Sequence, residues 1–249
     1  MENSNNDMNN LENVITFYEN EKNNFDRHKI IYDKFNYNVI KYNNGILQKH
    51  FLKLLGCGEL PFYWSWYLLV NKMENNFNFL EIGVYKGRIL SLIKLLSDLQ
   101  NKNVNIFGIT PLDDSSDKFS KYEKIDYLSE IKNSFLNFNL SLNDVKIIKG
   151  FSQNNEVIEK VKDIKFNIIY IDGCHDYSIV CQDIDNYSKL LCQGGFLIMD
   201  DASSYINNPY GQFLGHKDVG KAIIDKLDNN LDFKHLYAVG HNRVWQKIN

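Results

Sequence analysis

Phe166-Asn-Ile-Ile-Tyr-Ile-Asp-Gly-Cys-His-Asp-Tyr177 decides the fold. Its first six residues are a near-continuous apolar run, as a strand covered on both faces requires. The run stops at Asp172-Gly173, and a helical pattern over Tyr177–Leu191 follows. The same alternation extends toward the N-terminus. There we expect strands at Phe77–Gly83, Val104–Ile109 and Val145–Lys149, and helices at Arg88–Leu99, Lys118–Phe138 (mostly helix) and Asn155–Lys162. Toward the C-terminus a strand is expected at Gly195–Asp200, a helix at Val219–Leu227, and strands at Phe233–Val239 and Arg243–Lys247. Only Gly240-His241-Asn242 separates the last two, so they run antiparallel through a tight turn. The expected class is α/β: a doubly wound, mostly parallel seven-stranded sheet with an antiparallel C-terminal strand. Ligands of such sheets bind beyond the carboxyl ends of the strands, at the switch point.

With 249 residues, 44% of them hydrophobic and 14% aromatic, the chain suits one large domain with a sizeable core. Residues 1–10 hold five asparagines and are read as a disordered tail. Residues 11–75 are read as an N-terminal helical cap or lid, in which Pro61 opens the aromatic-rich helix that follows. Residues 76–249 form the sheet domain. The net charge of −3 gives no basic footprint, which argues against nucleic acid as the main partner. No signal peptide or membrane-length apolar stretch is visible, and Cys57, Cys174, Cys181 and Cys192 show no CxxC spacing. A soluble, cytoplasmic protein with reduced thiols and no membrane partner is expected.

Chemistry is concentrated in the loops after the strands. Leu80-Glu-Ile-Gly-Val-Tyr-Lys-Gly87 sets two glycines four apart at a strand-to-helix turn, with Glu81 placed to accept from an ammonium group. It lacks the GxGxxG pattern, which counts against a nicotinamide-linked oxidoreductase. Asp172 at one strand end and Asp200-Asp201 at the next would face one crevice. Three converging carboxylates repel one another unless a cation offsets them, and a hard divalent ion such as Mg2+ suits oxygen donors. His175, on the Asp172 loop, can serve as a general base for a hydroxyl acidified by that ion. A helix cap or solvated loop is the plainer reading of Asp200-Asp201.

The segments Phe79–Gly87, Ile168–Tyr177 and Gly194–Asp201 resemble those of class I S-adenosylmethionine-dependent methyltransferases. They are most similar to the metal-dependent group that includes macrocin- and mycinamicin-type sugar O-methyltransferases and cephalosporin-hydroxylase-like proteins. The resemblance covers roughly residues 60–247 and implies a Rossmann-like methyltransferase fold. It implies that Gly83 and Gly87 flank the methionine part of S-adenosyl-L-methionine, with Tyr85 on the same loop and Glu81 near the amino group. Gly150-Phe151-Ser152 matches the segment that lines the adenine, Asp172, Asp200 and Asp201 match the metal ligands, and His175 matches the base. Thr110 stands where the family carries an acidic ribose ligand. Either Asp113 or Asp114 reaches back, or Thr110 holds the ribose more weakly.

The function expected is metal-assisted methylation of a hydroxyl on a small molecule; a vicinal diol would chelate such an ion, which points to a sugar or a catechol-like ring, and the family resemblance favours a sugar or glycosylated acceptor. A catechol-like phenolic is the alternative acceptor, and a methyltransferase-like binding module without turnover is the alternative class. Trp64, Trp66, Tyr205, Tyr210 and His216 are candidates for the acceptor pocket by position, although core packing explains the tryptophans as well. The N-terminal helices offer an interface for a homo-oligomer.

Overall fold

The computed structural model describes residues 8–19, 24–54, 56–209 and 211–249. Seven strands form one sheet: β1 (Asn76–Ile82), β2 (Asn103–Thr110), β3 (Val145–Lys149), β4 (Phe166–Ile171), β5 (Leu191–Met199), β6 (Phe233–Val239) and β7 (Asn242–Lys247). Their order is β3-β2-β1-β4-β5-β7-β6, and β7 alone runs against the others. The expected class and the reversed last hairpin are therefore both present. The order turns back between β1 and β4, where the chain leaves a crevice at the carboxyl ends.

Two cores cover the two faces. On one, Phe77 and Phe79 of β1 and Ile198 of β5 pack under α1 (Leu11–Glu19), α2 (Phe25–Lys41), α4 (Phe62–Lys72), α5 (Arg88–Leu99) and α6 (Tyr127–Leu136), with Leu47 of α3 (Ile46–Lys53) in the same core. On the other, Leu80 and Ile82 pack under α7 (Asn155–Ile158), α8 (Tyr177–Tyr187) and α9 (Lys217–Ile223). Alternation of side chains along β1 puts Glu81 on the first face with Phe77 and Phe79, opposite Tyr170 of β4 in register. Of the stretch read as a tail, residues 1–7 lie outside those described. Met8 is 2% exposed, and its carbonyl accepts the Trp64 indole N–H at 2.8 Å, so packing already begins there. No helix among the described residues is long and apolar enough to cross a membrane.

One expected element is much shorter than its pattern. The helix read from Lys118 begins only at Tyr127. Asp113 accepts from the Ser115 amide at 2.9 Å, and Asp117 from the amides of Phe119 and Ser120 at 2.8 and 2.7 Å. Each aspartate thereby satisfies backbone donors locally and favours a turn over a helical one. Asp126 caps the helix itself through the Ser129 amide. Residues 111–126 become a long loop above the sheet edge. The helix expected to run to Lys162 likewise ends at Ile158.

Candidate active site

A cleft of about 190 Å³ opens at the carboxyl ends of β1 to β4. Gly83, Tyr85, Thr110, Asp113, Gly150, Phe151, Ser152 and Asp172 all line it, whereas Glu81 and Gly87 do not. Gly83 has φ +96°, and a Cβ on it would sit 1.9 Å from the Asp172 carbonyl oxygen. Its bare backbone lets the β1 turn lie against the end of β4 and form the cleft floor. Gly87 has φ +77° at the N-cap of α5. A Cβ there would meet Ser134 Oγ at 2.9 Å and the Ile131 Cα at 3.0 Å, so this glycine serves the packing of α5 on α6.

Glu81 lies beneath the cleft, 3% exposed, and one carboxylate oxygen has no hydrogen-bond partner among the described residues. Burial, reinforced by the Asp200 charge, pushes its carboxyl up to about 8. A buried acceptor left open is costly, and an ammonium group would satisfy it. The amino acid part of the expected donor carries such a group, so the residues present fit it. At the far end, Phe151 is 43% exposed in the cleft and offers a ring face. The Thr110 hydroxyl accepts from the Leu112 amide at 3.3 Å. Asp113 reaches the lining and Asp114 does not. Hydrogen bonds from Ser115 hold the Asp113 carboxyl below its usual value.

Beside the cleft the carboxylates gather. Tyr170 Oη donates to Asp172 Oδ2 at 3.1 Å, and Asn242 Nδ2 to Asp200 Oδ1 at 2.7 Å. Burial raises Asp172 well above the carboxylate range, and Asp200, Asp201 and Glu81 push the same way. Asp200 is raised by burial as well, although the neighbouring His241 opposes the shift. His241, in the β6–β7 turn, brings Nε2 to 3.5 Å from Asp200 Oδ1 and 3.8 Å from Asp201 Oδ1. Asp201 holds φ +52°, a left-handed geometry, while its carbonyl accepts the His216 amide at 3.1 Å. A Cβ on Gly215 would stand 2.0 Å from that carbonyl oxygen. The Ser203 amide donates to the Leu214 carbonyl at 2.9 Å, so the loop between β5 and α9 is pinned at its two ends.

Ligand atoms of Asp200, Asp201 and His241 lie within 4.8 Å of one another, as do those of His175, Asp201 and His216. Asp172 is in neither group, but the charges of Asp200 and Asp201 reach its carboxyl and help hold it up. Repelling buried carboxyls beside an imidazole are a donor set that fits a divalent cation. His241 gave no sequence signal: it contacts Asp200 only because the last hairpin folds back beside β5.

His175 is held on both sides. Nδ1 lies 2.6 Å from Asp117 Oδ2, and Nε2 lies 3.0 Å from Asp201 Oδ2. Burial alone would lower the ring's pKa, but the two carboxylates outweigh it and the net shift is upward. Burial also opposes ionisation of Asp117. Amide donors from His175, Ser120 and Phe119, together with the His175 ring, overcome it and bring Asp117 down to about 2. Asp117 escaped sequence reading because it sits 58 residues from its partner, just before the stretch expected to be helical.

The acceptor candidates separate. His216 belongs to the site, with Nε2 3.4 Å from Asp201 Oδ2 and its ring stacked on Phe119 at 4.1 Å. Trp64 is 5% exposed, its N–H spent on Met8 and its face on Tyr67 at 4.4 Å. It is core of the cap and does not line the cleft. Trp66 packs edge-on against Tyr170, also inside the core. Tyr205 turns away to Asp228 at 3.3 Å, with the Arg243 guanidinium over its ring. Tyr210 lies outside the described residues. Among the described residues, the exposed rings of Phe119 and Phe213 flank His216.

Residues 80–202 match the family model described as methyltransferase domain. An uncharacterized protein, R132, of Acanthamoeba polyphaga mimivirus is 28% identical over 145 residues, which cover 57% of this chain and 59% of that one. The match thus spans less than two thirds of the curated relative. Among solved structures, CalS11, a TDP-rhamnose 3'-O-methyltransferase of calicheamicin biosynthesis, superposes with a TM-score of 0.53 at 12% identity, over 99% of this chain and 96% of that one. MycE, a methyltransferase of the mycinamycin pathway in complex with Mg and SAH, gives 0.50 at 16% identity, over 81% and 53%. These likenesses establish a shared fold.

Proposed function

We propose that this chain, whose residues 80–202 match the methyltransferase-domain model, transfers a methyl group from S-adenosylmethionine to a hydroxyl of a small sugar-bearing acceptor, assisted by a divalent cation such as Mg2+. The observation that carries this reading is the double position of Asp172. It lines the cleft, and its carboxyl also lies within reach of the Asp200 and Asp201 charges. Donor and acceptor sites therefore share a wall, as in-line transfer between them requires. The sugar is supported by the chelating geometry expected of a diol and by the acceptor named for CalS11.

Each side chain then has a task. Glu81 takes the donor ammonium, Asp113 faces the ribose, and Phe151 offers its ring to the adenine. Asp172, Asp200 and Asp201, with His241 beside them, would hold the cation. When bound, that cation supplies Lewis acidity that makes a hydroxyl easier to deprotonate. His175 takes the proton at Nε2, the ring atom on the cluster side. In the resting arrangement that atom faces Asp201, so it accepts a proton only once this carboxylate is otherwise engaged. The exposed rings of Phe119 and Phe213 suit the apolar face of a sugar, and they also give a catechol-like acceptor some support as a second reading.

The test uses donor with a labelled methyl group, a panel of nucleotide-activated sugars and glycosides, and Mg2+ with or without chelator. Label is expected on a sugar hydroxyl, with chelator lowering transfer at least about tenfold. Full transfer in chelator removes the cation from the reading. Transfer to catechols alone selects the phenolic acceptor, and donor binding with no transfer to either class marks a binding module.

A further inference from the structure

We infer that Asp117 is the positioning residue of His175, fixing which ring nitrogen receives the acceptor's proton. The inference rests on the reading of His175 as the base. Asp117 Oδ2 accepts from both the His175 backbone amide at 3.0 Å and ring Nδ1 at 2.6 Å. Its Oδ1 accepts from the Phe119 and Ser120 amides. A carboxylate is acceptor only, so Nδ1 carries a proton in this arrangement. The basic lone pair of the neutral ring is thereby assigned to Nε2, on the Asp201 side. Holding the amide and the ring of one residue with one oxygen also fixes the rotation of the imidazole relative to its own peptide.

The surroundings reinforce this placement. The Asp117 and His175 side chains are 7% and 11% exposed, so water competes little for the bond. His216 packs on the His175 ring at 4.6 Å and Phe119 borders it at 6.0 Å. Asp117 also lines the donor cleft, on the loop that carries Asp113. One loop therefore lines the cleft and holds the His175 ring. A purely structural role, clipping the 111–126 loop to the end of β4, is the competing explanation, and it predicts different behaviour.

Asp117→Asn separates the two. The Oδ1 side must still accept two amides, so the new amide nitrogen falls opposite His175. Nδ1 then has to accept, Nε2 carries the proton, and the ring can no longer take one. Turnover is expected to fall about 10²–10⁴-fold, the size of general-base effects. In a His175→Ala background the same change is expected to lower turnover no further, because residues acting as one unit are not additive. An equal loss in both backgrounds overturns the inference in favour of a clip. Nitrogen-15 spectra of histidine-labelled wild type supply a readout that needs no turnover and no folded variant. They are expected to show a proton on His175 Nδ1, and an unprotonated Nδ1 overturns the inference. If that proton is present but the wild type methylates no hydroxyl, the proposed activity fails and the ring's orientation stands.

Discussion

Glu81 carries a carboxyl from water, where it titrates near 4.5, to a place where it titrates near 8. The folded chain thus keeps a proton that the unfolded chain releases between those values. The stability this protonated group contributes is complete below about 4.5 and is lost as the pH rises through about 8. Glu81→Gln cannot ionise, so its melting temperature should gain on the wild type progressively from pH 5 to pH 8.5. The difference at the upper end should be roughly 2–4 kcal/mol. A donor ammonium reverses the preference by favouring the carboxylate, so binding should release a proton inside the same window. Calorimetry in buffers of different ionisation heat should show this in the wild type and not in the variant, whose donor affinity should be about tenfold weaker. A buffer-independent enthalpy in the wild type would separate Glu81 from the ammonium. Glu81, Asp172, Asp200 and His175 were legible as site residues because they sit at the ends of strongly patterned strands. Asp117 and His241 were not, because their meaning lies in contacts with residues far along the chain.

The two glycines of the first loop look equivalent in sequence and differ in the fold. Gly83→Ala drives a methyl group into the Asp172 backbone at the cleft floor. It should abolish donor binding and lower the melting temperature sharply. Gly87→Ala strains a left-handed N-cap and presses on α6, away from the cleft. It should cost about 1–3 kcal/mol of stability yet leave the donor affinity of the folded protein within about threefold. Equal loss of donor affinity in both would return Gly87 to the donor site. Elements with a clean period were legible throughout: β3 and β6 and helix α5 fall on the expected residues. The stretch 118–126 was not, because Asp117 takes the Phe119 and Ser120 amides that the apolar spacing alone assigns to a helix, and Asp126 caps the helix only from Tyr127.

At the scale of the molecule, strand–helix alternation was enough to give a doubly wound sheet with its site at the carboxyl ends. It did not give the strand order, which depends on long-range pairing such as β4 inserting between β1 and β5. Buried, mutually repelling carboxyls weaken the whole fold when charged, so a cation that joins them should stabilise it. At a hundred times its dissociation constant a single ion adds about 2.7 kcal/mol, which for a chain of this size is roughly 5–10 °C in melting temperature. Mg2+ or Mn2+ should raise the midpoint by that order, and Asp201→Asn should remove the effect. An unchanged midpoint across millimolar concentrations would argue against the cation.

The pinned ends of the loop between β5 and α9 also bear on how such proteins diversify. With Asp201 locked to Gly215 and His216 on one side and Ser203 to Leu214 on the other, the loop closes as a clasp, and Tyr205 and Ile206 just inside it pack against the body of the protein. Changes at the exposed residues beyond Ile206, such as Gln212 and Phe213, should therefore leave the carboxylates where they are. Transplanting this stretch between homologues should exchange acceptor preference and leave the methyl donor untouched.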